Sequence, residues 1–316
     1  MKQMRLLSIV IAMGVLASCA SPKAPPETAP LVTAPSVTAL PVTEPPKPKI
    51  ALVLGGGAAR GFAHVGVIRA LEQEKIPIDM IIGTSVGSLI GAIYACDQNC
   101  FELEWTAFAL EKDILLDYGF LNAFTGMGMA KGEKLEEFVK SKIATTNIED
   151  MKLPFAAVAT DLNRGTRVVL DRGSVAKAVH ASCAIPGVFE PVNHQGRLLV
   201  DGGVVDNIPV AVAREKGADI VIAVDISENV VNFNITNLVD VMLQAVNIVF
   251  NENAKHKKKE ADVLITPAVG NVAMLDFSQK KRCMQAGIEA AQMATPEIRK
   301  KIEEWVQKKQ LQKQAP

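Results

Sequence analysis

Residues 79–91, Asp-Met-Ile-Ile-Gly-Thr-Ser-Val-Gly-Ser-Leu-Ile-Gly (DMIIGTSVGSLIG), decide how this chain folds. Met80, Ile81 and Ile82 make a short apolar run of the kind that forms a buried strand, and Val86 opens a helix with small residues along one side. Between the two lies Gly83-Thr84-Ser85-Val86-Gly87, a Gly-X-Ser-X-Gly pentapeptide. A strand that reverses straight into a helix needs small residues on either side of the bend, which leaves the central side chain exposed at the turn. Ser85 is thereby placed beside the unpaired N–H groups of the helix's first turn, where negative charge is stabilised. The same pentapeptide also serves as an ordinary strand-to-helix turn with a serine cap.

A second apolar run, Ile50 to Leu54, is followed at once by Gly55-Gly56-Gly57-Ala58-Ala59-Arg60-Gly61 and a predicted helix from Phe62 to Glu74. Successive glycines let backbone N–H groups face a common hollow, an anion cradle at a helix start. A dinucleotide loop needs Gly-X-Gly-X-X-Gly and an acidic ribose partner at the end of the second strand; here Arg60 takes the last glycine position and Asp79 precedes its strand. The alternative is an oxyanion hole formed by Gly55, Gly56 and Gly57, whose donors face the oxygen that gains charge when a nucleophile attacks a carbonyl. Strand, glycine loop, helix, strand, serine turn, helix is a parallel unit that carries both loops to one end of a sheet. Arg60 is expected to tie the loop down rather than to meet a headgroup.

A serine nucleophile needs a base. His64, His180, His194 and His256 are the histidines, and none has a convincing strand-end position; His194 falls in an expected turn over residues 193–196. Asp201 has one: residues 197–200 read as a short strand, and Asp201-Gly202-Gly203 ends it with a carboxylate and two residues that permit close backbone approach. A free Asp titrates near pH 3.9, so a basic role requires burial to raise it. Ser182 is a rival nucleophile but lacks flanking glycines.

GGGAARG at 55–61, GTSVG at 83–87 and DGG at 201–203, in that order, resemble the patatin-like phospholipases, particularly the bacterial branch related to the neuropathy target esterase catalytic domain. Residues 181–191 (ASCAIPGVFEP) resemble that family's loop ahead of the Asp strand, and Asp206-Asn207-Ile208-Pro209 resembles the family's segment just beyond that strand. The resemblance covers roughly residues 49–225. It implies a Ser-Asp dyad without histidine, Ser85 the nucleophile and Asp201 the general base, with the oxyanion held by the 55–57 backbone and with Arg60, Gly83, Gly87, Gly202 and Gly203 as supporting motif positions. It also implies a lipid substrate and no cofactor or metal ion.

With 49% hydrophobic and 22% charged residues the chain can bury a full core, and 34 basic against 34 acidic residues give no footing for a nucleic-acid partner. Lys2 and Arg5, an apolar run from Leu6 to Leu16, and small residues before Cys19 have the layout of a secretory signal, too short to span a bilayer. Leu16-Ala17-Ser18-Cys19 resembles the lipobox of bacterial lipoproteins, which implies cleavage after residue 18 and a membrane anchor of acyl chains on Cys19. Ala20 after the cysteine, by the same resemblance, favours the outer membrane facing the periplasm in a Gram-negative cell. Residues 19–48 are Pro-rich and read as an extended tether.

The predicted fold is α/β, a three-layer α/β/α arrangement with a mostly parallel sheet over residues 49–268, and C-terminal helices in 269–316 packed on or beside it. Further strands are expected at 154–160, 166–170, 219–224 and 263–266, and helices at 174–183, 237–250 and 297–312. Six aromatics, Phe101, Trp105, Phe108, Tyr118, Phe120 and Phe124, crowd into 24 residues and read either as an acyl-binding wall or as core helices. Cys96 and Cys100 are spaced for a small disulfide loop or for a helix end with the thiols apart. Two rivals to the hydrolase reading are a Ser-His-Asp esterase or acyltransferase, and a lipoprotein that holds lipid without turning it over.

Overall fold

A computed structural model describes residues 45–111, 128–227, 235–274 and 276–314. Residues 1–44, where the leader, Cys19 and most of the tether are expected, lie outside them, as do Tyr118, Phe120 and Phe124. The described residues form one compact unit.

The parallel part of the sheet is assembled from the apolar runs. Strands β1 (Ile50–Leu54), β2 (Met80–Thr84), β4 (Phe155–Asp161), β9 (Ile220–Val224) and β10 (Val263–Ile265) lie in the order β10-β9-β1-β2-β4, all parallel. Their alternate side chains feed two cores. Ile50, Leu52 and Leu54 face helices α1 (Phe62–Gln73), α2 (Val86–Asp97), α5 (Val175–Cys183) and α8 (Lys280–Gln314). Ala51 and Val53 face α6 (Val210–Glu215) and Ala254 on α7 (Leu238–Lys257). Strands covered on both faces have no polar edge to show water, which is why these runs are apolar throughout. The result is the expected three-layer α/β/α fold with a mostly parallel sheet.

Asp79 anchors the start of the sheet: Ile50 N–H donates to its carboxylate at 2.7 Å, at the end of β2 away from Ser85. It is therefore in no position to meet a ribose, and the nucleotide reading loses its acidic partner.

Two strands run against the rest, and a third turns back beside them. β5 (Thr166–Leu170) and β8 (Arg197–Asp201) both pair antiparallel with β4, and β7 (Val192–His194) forms a hairpin with β8. His194 thus ends a strand; the turn is Gln195-Gly196, both at positive φ. A separate two-stranded pairing joins β3 (Gly128–Ala130) to β6 (Gly187–Phe189).

The register along β4 brings distant sequence together. β5 occupies one edge of β4 from Ala157 to Asp161. On the other edge β2 pairs up to Thr84 opposite Val158, and β8 takes over with Asp201 opposite Ala159. Because β2 runs parallel to β4 and β8 antiparallel, the two strands approach head to head and their last residues meet.

Helix α3 (Cys100–Ala109) buries Cys100, Leu103, Thr106 and Ala107, which leaves Phe101 and Trp105 on its outer face, 71% and 70% exposed. These two aromatics form neither core nor pocket wall. Cys96 and Cys100 are buried free thiols on either side of the α2–α3 junction.

Candidate active site

Ser85 sits directly at the β2–α2 elbow. Its backbone is at φ 54°, ψ −130°, a region non-glycine residues seldom occupy. The elbow closes tightly: a Cβ on Gly83 would lie 2.5 Å from the Gly87 carbonyl oxygen, and one on Gly87 would lie 2.2 Å from that of Leu54. That crowding is the physical reason for glycine on both sides of the serine. Ser85 N–H donates to Ser182 Oγ at 2.9 Å, and Ser182 in turn donates to the Val158 carbonyl at 2.6 Å. Ser182, which reads as a rival nucleophile in sequence, is occupied in holding the elbow.

Ser85 Oγ donates to Asp201 Oδ2 at 2.5 Å, and the other carboxylate oxygen accepts from Gly203 N–H at 2.8 Å. Asp201 is fully buried. Burial pushes its carboxyl up to about 7, against the opposing pull of the bonds from Ser85 and Gly203. A carboxylate poised near neutrality is matched to taking a proton from a hydroxyl and returning it. Gly202 is packed against the Val158 carbonyl, where a Cβ would come within 2.2 Å.

The glycine loop faces Ser85, but its donors are not those expected. Gly55 N–H donates to the Val224 carbonyl at 3.1 Å, and Gly56 N–H to Asn207 Oδ1 at 3.1 Å. Both amides are consumed in fastening the loop to its neighbours, so the three-amide cradle is corrected to a narrower one. Among the described residues Gly57 N–H and Val86 N–H have no acceptor, and Val86 comes just after the serine at the start of α2. Arg60 is buried beside α8, close enough to Cys283 for its charge to act on that thiol, and does not line the pocket.

No histidine contacts Ser85 among the described residues. His64 is fully buried, with Nε2 2.8 Å from the Gly55 carbonyl. A carbonyl only accepts, so Nε2 carries the hydrogen, and burial lowers the imidazole to about 4, leaving it neutral. His180 pairs through Nδ1 at 3.0 Å with Glu136 of α4 (Glu133–Lys142). A Ser-His-Asp arrangement therefore has no base within reach of the serine.

Ser85 lines an apolar pocket of about 70 Å³. Phe62, Leu89, Leu110, Ile185, Phe189 and Phe277 are among its walls, and Ser85 is its hydroxyl. The arrangement is a buried acid, a strained serine, free amides and a greasy slot, a set suited to attack on the carbonyl of an apolar acyl group.

The chain is similar to several known proteins. An uncharacterized NTE family protein of Mycobacterium tuberculosis is 38% identical over 182 residues, covering 57% of this chain and 49% of that one. Lysophospholipase NTE1 of Scheffersomyces stipitis is 29% identical over 276 residues, 77% of this chain and 18% of that protein. Patatin-like phospholipase domain-containing protein 6 of Mus musculus is 38% identical over 187 residues, 56% of this chain and 13% of that one. The chain thus spans about half the length of the mycobacterial relative and under a fifth of the other two. In fold, VipD from Legionella pneumophila superposes with a TM-score of 0.53 at 15% identity, over 78% of this chain and 66% of that one. Residues 52–214, from β1 through both loops and Asp201, match the family model for patatin-like phospholipase, and the chain belongs to the patatin-like phospholipase family.

Proposed function

We propose that this protein is a serine acyl hydrolase that cleaves acyl esters of phospholipids or lysophospholipids through a Ser85–Asp201 dyad. The observation that carries the reading is the 2.5 Å bond to a buried carboxylate from Ser85 Oγ, a serine that lines an apolar pocket. Ser85 Oγ attacks the ester carbonyl carbon while its proton passes to Asp201 Oδ2. The oxyanion is received by Gly57 N–H and Val86 N–H. Collapse of the tetrahedral species breaks the ester C–O bond, and the departing glycerol oxygen takes the proton from Asp201. Water then attacks the acyl-enzyme, gives its proton to Asp201, and the fatty acid leaves as that proton returns to Ser85. The family membership and the name of the fungal relative, a lysophospholipase, support the substrate class.

The test compares the purified chain with Ser85→Ala and Asp201→Asn on a panel of diacyl and lysophospholipids, alongside labelling by a fluorophosphonate. Fatty acid release and labelling that both vanish in Ser85→Ala are expected. An unlabelled wild type that is folded and binds lipid would move the protein to the lipid-carrier reading.

The membrane attachment belongs to the same proposal: Cys19 carries the acyl anchor and residues 20–48 the tether. Cys19→Ala is expected to shift the protein from the membrane to the soluble fraction, and an unchanged distribution removes the anchor from the account.

A further inference from the structure

We propose that Asn207 is a positioning residue for the oxyanion amide, acting by fixing the peptide that joins Gly56 to Gly57. This rests on the acyl-hydrolase reading above. Asn207 is buried, and its side-chain amide embraces Gly56 from both ends: Oδ1 accepts Gly56 N–H at 3.1 Å and Nδ2 donates to the Gly56 carbonyl at 3.4 Å. Its backbone carbonyl lies 3.4 Å from the same N–H. Gly56 itself lies against the nucleophile: a Cβ there would be 3.1 Å from Ser85 Cβ and 2.5 Å from Asn207 Oδ1.

The Gly56 carbonyl and the Gly57 N–H belong to one planar trans unit and point in opposite directions. With the carbonyl drawn to Asn207 Nδ2, the Gly57 N–H is turned the other way, and it has no acceptor among the described residues. Without the amide, a glycine peptide has little to resist rotation, and the donor is lost as the plane turns.

Asn207 is itself held by its neighbour. The Asp206 carboxylate is fully buried and receives Arg167 Nη1 at 3.0 Å and Lys257 Nζ at 2.9 Å, while the Asp206 carbonyl accepts from Thr84 Oγ1 at 3.0 Å. Thr84 precedes the nucleophile, so one turn connects the serine elbow to the glycine loop. Asn207 needs both a donor and an acceptor in a fixed relation, which among small side chains only a primary amide supplies when the site is buried and uncharged.

The deciding variant is Asn207→Asp, equal in size but lacking the Nδ2 donor, with Asn207→Ala beside it. On a soluble short-chain ester, kcat is expected to fall roughly 100- to 1,000-fold, the usual loss for one oxyanion donor, with KM within about threefold. The pH inflection set by Asp201 is expected to stay in place. Independently of turnover, the Gly57 amide resonance in 15N-labelled unreacted protein is expected to move in Asn207→Asp while amides of β9 and β10 do not. An unmoved Gly57 resonance, or a kcat loss that only tracks a lower melting temperature, overturns the assignment. Because that resonance is read without substrate, a wild type inert toward every ester sinks the hydrolase reading by a different observation from the one that judges Asn207.

Discussion

Asp201 is costly to the fold in the form that catalysis uses. Its carboxyl titrates at about 7 in the folded protein against 3.8 when free, so the folded state binds a proton more tightly than the unfolded one. The contribution of this group to stability is whole below pH 4 and is lost as pH rises toward 7. At about 1.36 kcal/mol per pH unit, the loss is on the order of 4 kcal/mol above pH 7. Asp201→Asn, which keeps a donor toward Ser85 and an acceptor for Gly203 N–H, escapes that loss. Its melting temperature is expected to exceed that of the wild type at pH 8 and to converge with it at pH 4, while its activity disappears. In the wild type kcat/KM on a soluble ester is expected to rise about tenfold per pH unit up to an inflection near 7 and then to level, because only the ionised carboxylate accepts the serine proton. An inflection near 4 would mean that burial does not raise the Asp201 carboxyl, and a pH profile unchanged in Asp201→Asn would mean that Asp201 is not the base. Ser85 and Asp201 are legible in sequence because each carries its own turn chemistry, glycines bracketing one and coming directly after the other. Ser182 and Asn207 are not, since their roles consist of partners far along the chain, Ser182 meeting Ser85 across 97 positions and Asn207 meeting Gly56 across 151.

Among the elements, the dyad exists because two strands end face to face along one edge of β4. Buried apolar runs disclose a strand but not its direction, so β8 reads in sequence as one more strand and only the register shows it to be antiparallel. Parallel to its neighbour, the same five residues would carry Asp201 to the other end of β4. Helix α5 completes the junction by sending Ser182 between β4 and the elbow. Ser182→Ala strips the Ser85 N–H of its acceptor in a buried site, at a cost of roughly 1–3 kcal/mol. The expected result is a lower melting temperature and slower fluorophosphonate labelling, with the label still recovered on Ser85 by peptide mapping. Label on neither serine in a folded Ser182→Ala protein would return Ser182 to the list of nucleophiles.

Across the molecule, the segment after residue 268, expected to pack on or beside the part before it, shares that part's core. The segment after 268 holds α8, one long helix that lies across α1 so closely that a Cβ on Gly66 would come within 1.9 Å of the Met284 carbonyl oxygen and one on Gly287 within 2.0 Å of that of Ala63. Cys283, Ala291 and Ile298 on α8 are fully buried in the same core as Ile68 and Leu71 of α1, and Phe277 meets Phe62 edge to face at 5.9 Å. Phe62 and Phe277 are also pocket walls, so the layer that finishes the core finishes the site. The periodic apolar face at Ile298, Ile302 and Trp305 is visible in sequence; what it packs against is not, because α1 lies more than 200 residues earlier. At about 25 cal/mol per Å², roughly 400 Å² of newly bared apolar surface would cost about 10 kcal/mol, as much as the whole margin of a typical domain. A protein of residues 45–316 is therefore expected to melt cooperatively and to hydrolyse a soluble ester at the rate of the full chain, whereas residues 45–279 are expected to be insoluble or to unfold without a transition. A 45–279 protein that melts sharply and keeps its activity would make α8 an appendage.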